Sequence, residues 1–84
     1  HPDAIPHIAE LLIQASGRTQ LVVTTHSRML VDALTGDPAS IIVCNKVSGE
    51  SQFERLDPNA LAAWLEKYSL GELWSMGELG GNRW

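Results

Sequence analysis

Eighty-four residues with 44% apolar content are enough for one small domain or part of one, and too apolar for a disordered chain. Six basic against ten acidic side chains leave a net charge of −4 with no Lys/Arg cluster, which argues against nucleic-acid binding by this segment. No apolar run approaches the ~20 residues of a membrane span and no signal-peptide pattern opens the chain, so a soluble, cytoplasmic protein is expected.

The chain starts His1-Pro2-Asp3 without an initiator Met, and it is expected to be a piece of something longer. Between residues 3 and 16, Ile5, Ile8, Ala9, Leu12 and Ile13 fall on one helix face. Asp3 is the expected N-cap, Pro6 fits the first turn, and Gly17 can close the end. After the polar Arg18, Thr19 and Gln20 comes Leu21-Val22-Val23, an apolar run without alternation that suits a strand covered on both faces. Ser27 can cap a second helix reaching Leu34, with Leu30, Ala33 and Leu34 toward the core.

Thr35-Gly36-Asp37-Pro38 is a turn, and Ile41-Ile42-Val43-Cys44 is a second apolar strand running on into Asn45-Lys46-Val47. Strand, helix and strand in that order imply a βαβ unit with parallel strands. Cys44, the lone cysteine, lies inside the second strand and reads as a small core residue in a reducing compartment. Ser48-Gly49-Glu50 leads into a hairpin strand in which Phe53 alternates with polar neighbours. Asp57-Pro58 starts a third helix, whose Leu61, Trp64, Leu65 and Tyr68 should face a core. From Leu70 a short helix and then a flexible end are expected, so residues 70–84 are assigned as the tail. Within it, Leu70-Gly71-Glu72-Leu73 is echoed by Met76-Gly77-Glu78-Leu79. Two four-residue copies do not make a repeat architecture.

The architecture is therefore α/β, but two parallel strands are too few for a complete doubly wound sheet. The two-sided hydrophobicity of both runs asks for strands that lie outside this chain.

Thr24-Thr25-His26-Ser27 sits where such a strand ends and a helix begins, the place where open α/β sheets bind ligands and where helix N–H groups favour anions. An imidazole there can donate to a phosphate oxygen. The run LVVTTHSRMLVDAL resembles the switch-histidine segment, or H-loop, of ABC-type ATPases, in particular the prokaryotic predicted ATPases of the RecF and SMC-like branch. His1-Pro2 is similar to the end of the D-loop of that group, residues 3–16 to the helix after it, and YSLGELWSMGELGGNRW to its C-terminal end.

The resemblance implies that residues 1–84 are the C-terminal part of one P-loop NTPase domain, with a βαβ unit, an antiparallel hairpin and C-terminal helices. Residues 20–27 would be the strand and H-loop. His26 would be the catalytic, nucleotide-binding switch residue at the γ-phosphate, with Thr25 and Ser27 supporting it. His1 and Pro2 would face a second ATPase subunit across a nucleotide sandwich. ATP and Mg²⁺ would be cofactors of the parent only, and DNA or a toxin-system protein would be possible partners of that parent.

The chain departs from the family pattern in having no G-x-x-x-x-G-K-[ST] loop, no signature motif and no Walker B carboxylates, all of which would precede His1. The isolated piece is thus expected neither to bind ATP tightly nor to hydrolyse it, and to self-associate through an exposed sheet edge.

Three other readings compete. A metal site from His1, His7, His26 and Cys44 would need ligands from four separate elements, with no recognised spacing. A hydrolase using His26 lacks a nucleophile within reach, because Ser27 is adjacent and Asp32 lies further down the helix. An autonomous interaction module would use Trp64, Trp74 and Trp84 as anchors and leave His26 incidental.

Overall fold

The computed structural model describes residues 4–80; His1, Pro2, Asp3 and Trp84, with the roles expected of them, lie outside that range. Helix α1 spans Ile5–Ser16, α2 Arg28–Ala33, α3 Pro58–Leu65 and α4 Leu70–Ser75, while strands β1 (Ile42–Val47) and β2 (Glu50–Arg55) form one antiparallel hairpin. The class is α/β. None of the described helices is long and apolar enough to cross a membrane.

The core is built on α4. Leu70 and Leu73 are 0% exposed, and they cluster with Val31 of α2 and with Leu56 just after β2. Ile41, Val43, Leu61, Leu65, Tyr68, Trp74 and Leu79 close around them. The short helix expected from Leu70 thus forms, but it is the centre of the fold and not the opening of a tail.

Its start is fully bonded. The Ser69 hydroxyl accepts from the Glu72 N–H at 3.3 Å while the Ser69 N–H donates to the Glu72 carboxylate at 3.0 Å, a reciprocal capping box. The next two orphan donors are satisfied from α2, with Leu70 N–H on the Thr35 hydroxyl at 3.1 Å and Gly71 N–H on the Asp32 carboxylate at 3.0 Å. Arg28 Nε donates to the Gly71 carbonyl at 3.3 Å. So close is this approach that a Cβ on Gly71 would stand 2.6 Å from Asp32 Oδ1 and 2.8 Å from Asp32 Cβ.

At the other end Gly77 takes φ +83°, its N–H donating to the Trp74 carbonyl and that of Glu78 to the Leu73 carbonyl, the paired bonds of a Schellman motif. The echoed Gly-Glu-Leu triplets therefore do opposite jobs, one starting α4 and one stopping it.

The hairpin turns at Ser48 (φ 52°) and Gly49 (φ 80°), both positive as a two-residue type I′ turn requires. Val47 pairs with Glu50 and Ile42 with Arg55. The third helix starts as its sequence dictates, with Asp57 accepting from the Asn59 N–H at 2.9 Å and Pro58 in the first turn.

Four expectations need correction. The parallel βαβ unit does not form among the described residues: residues 21–27 have no regular structure, and the one ladder joins β1 to β2. A strand exists only by pairing, and with β2 taken up by β1, nothing else here offers residues 21–23 a partner. In α2 the buried residue is Val31, while Leu30 and Leu34 are half-buried and Ala33 is exposed, because the helix meets α4 one position round from the expected face. Trp64 is 40% exposed; its neighbours Leu61 and Leu65 reach the core instead, and Trp74 packs there as well. In α1, Ala9 is buried whereas Ile8 and Ile13 are exposed, since α2 covers only a narrow stripe of that helix.

Candidate functional site

Residues 24–27 form the loop that feeds α2. The Thr25 hydroxyl accepts from the Ser27 N–H at 2.9 Å, closing a small side-chain turn around His26. Ser27, with extended backbone angles, caps α2 as its sequence predicts, its hydroxyl accepting from the Leu30 N–H at 3.2 Å. Two hydroxyls at i−1 and i+1 thus fix the backbone on either side of the imidazole. His26 itself is exposed. Thr25 and Ser27 do occupy supporting positions beside it, and each does so through a backbone bond rather than by touching the ring.

His26 stands on open surface. The shallow depression between α1 and α2 is lined by Pro6, Arg28, Met29, Asp32 and Ala33, and the one on α3 by Ala63, Trp64, Glu66, Lys67 and Tyr68. Neither includes residues 24–27, so this chain alone does not enclose a ligand around the imidazole.

The two helix starts that could attract an anion differ. The first turn of α4 is occupied by the chain's own oxygens from Asp32, Thr35 and Ser69, which leaves no donor there for a phosphate. The start of α2 has the single hydroxyl cap of Ser27 and the exposed His26 one residue ahead of it.

Among the described residues no three His, Cys, Asp or Glu side chains converge on a point that could hold a metal ion. His7 lies exposed on α1 and Cys44 half-buried in β1, on separate elements. Asp32, the one acid near His26 in sequence, is engaged with the Gly71 N–H.

What sequence reasoning missed is the polar clasp between α2 and α4. Arg28, Asp32 and Thr35 recur at helical spacing on one side of α2, and that spacing was the available signal. No family model, curated protein or solved structure matches the chain.

Proposed function

We propose that the chain is the C-terminal part of an ABC-type, P-loop ATPase domain, and that His26 is its switch histidine, sensing the γ-phosphate of ATP. The observation that supports this most is local. An exposed imidazole stands directly before a hydroxyl-capped helix, held by the Thr25–Ser27 turn, and follows an apolar run that has no strand partner. Residues 20–24 behave as a sheet strand whose neighbours are elsewhere, which fits the carboxyl-end position at which such sheets bind ligands.

The chain's residues fit one contact to a terminal phosphate and do not fit a Mg²⁺ site. ATP and Mg²⁺ would therefore be held by upstream residues, and the 84-residue chain would be catalytically silent. Its share of the work is positional: an imidazole N–H aimed at a phosphate oxygen supplies a fixed donor to negative charge. Residues 1 and 2 would lie on the D-loop, toward a second ATPase subunit. A reducing, cytoplasmic setting suits the unpaired Cys44.

A second reading has one observation in its favour. Trp64 is 40% exposed beside Tyr68, with ring centroids 6.0 Å apart, which is the kind of aromatic pair that anchors a protein partner. On that reading the chain is a non-catalytic interaction module.

The coding sequence ahead of His1 separates the two. The ATPase reading requires an apolar strand ending in an acidic pair within about ten residues, and further upstream a G-x-x-x-x-G-K-[ST] loop. An upstream segment lacking both removes it.

A further inference from the structure

Residues 20–24 carry a requirement that the rest of the chain does not meet. Val22 is 94% exposed, with Leu21 and Val23 at 42% and 50%. Among the described residues, no backbone hydrogen bond joins this stretch to any other segment. The ladder of β1 and β2 is complete without it. A β-branched run with open backbone donors and acceptors is a template for one more strand.

The residues on it indicate which strand fits. From Thr19 to Thr25 there is no charged side chain, no Pro and no Gly, so the segment meets no like-charge penalty when laid against itself. We infer that the 84-residue chain dimerises by antiparallel pairing of residues 20–24 with the same residues of a second copy, about a two-fold axis at Val22.

In that register Val22 opposes Val22, Leu21 opposes Val23, and Gln20 opposes Thr24. Every pair matches in class, apolar with apolar and polar with polar. Because side chains alternate across a strand, both copies of Leu21 and Val23 fall on one face and form a four-membered apolar cluster. Each copy satisfies the backbone of the other, and the two-fold closes the assembly at two. The chain before residue 20 and after residue 24 leaves the pairing free, since Thr19 N–H is already taken by the Ala15 carbonyl and the Thr25 hydroxyl by the Ser27 N–H. This inference concerns the 84-residue chain itself and does not rest on the nucleotide reading.

The test is sedimentation velocity on the 84-residue chain from micromolar to millimolar concentration, together with Val22→Lys and Val22→Glu. The exposed position lets both variants keep the wild-type far-UV circular dichroism. Wild type is expected to move from monomer to dimer. Each variant places like charges face to face at the axis and should dimerise more weakly by roughly tenfold or more. An equimolar mixture of the two variants should recover a dimer, because lysine then opposes glutamate. The inference is overturned by a wild-type monomer throughout, by open-ended aggregation in place of a dimer, by a Val22→Lys dimer as tight as wild type, or by no recovery in the mixture.

Discussion

Gly71→Ala is the sharpest test of the clasp between α2 and α4. On a free helix surface this change stabilises by up to about 1 kcal/mol, because glycine has the larger backbone entropy to lose. Here the new methyl would meet Asp32 Oδ1 at 2.6 Å, Asp32 Cβ at 2.8 Å and Asp32 Cγ at 3.0 Å. Two of those atoms lie near the root of the side chain, so rotation of the carboxylate cannot clear them all. Relief requires α2 and α4 to move apart, which lengthens the 3.0 Å bond from Gly71 N–H to the carboxylate and the 3.3 Å bond from Arg28.

A hydrogen bond to a charged group contributes about 1.5–3 kcal/mol, and overpacking costs a comparable amount. Allowing for partial relaxation and for the helix gain, the net loss is about 2 kcal/mol, which lowers the melting midpoint of a domain this size by roughly 8–16 °C. Thermal melts followed by circular dichroism measure it. The same substitution in an Asp32→Gly background, where the three clashing atoms are gone, should be neutral or mildly stabilising relative to that background. A Gly71→Ala protein that melts at or above wild type, or one whose penalty is unchanged in the Asp32→Gly background, refutes the reasoning.

Two further outcomes follow from the same packing. Ser27→Ala removes the cap on the Leu30 N–H and should cost about 1 kcal/mol, read as a melting midpoint lower by roughly 4–8 °C, while Ser27→Asp should recover most of it. Leu73→Ala empties the centre of the core and should cost about 2–5 kcal/mol, enough in so small a chain to abolish a cooperative melt; a sharp transition near the wild-type midpoint would show that the core lies elsewhere.

Much of the fold was legible because its signals are local. The spacing of apolar residues in α1, the Asp57-Pro58 start of α3, the Ser27 cap of α2 and the Ser48-Gly49 turn each depend on residues within a few positions, and each forms as read. The failures all concern contacts between distant segments. Leu21-Val22-Val23 has the composition of a central strand, yet composition does not supply a neighbour, and β1 pairs with β2 by the shorter loop. In α2 the apolar Leu30 and Leu34 drew attention from Val31, and the closeness of Gly71 that selects Val31 becomes visible only when α4 is in place. The echo at Gly71 and Gly77 looked like one motif, while the tertiary setting makes one a close-packed helix start and the other a left-handed stop.

For the candidate site, the position of His26 before a capped helix was readable, and so was the part played by Ser27. What surrounds the ring was not, since any phosphate cradle would come from other segments.

The claim at the centre of the account is that the His26 imidazole acts on a nucleotide. Steady-state ATP hydrolysis by the longer ATPase chain that this reading requires, wild type beside His26→Ala, measures it most directly. The account predicts turnover lower by at least roughly tenfold at an unchanged melting temperature, the loss expected of one preorganised donor to phosphate charge. Equal turnover in the two proteins would contradict it.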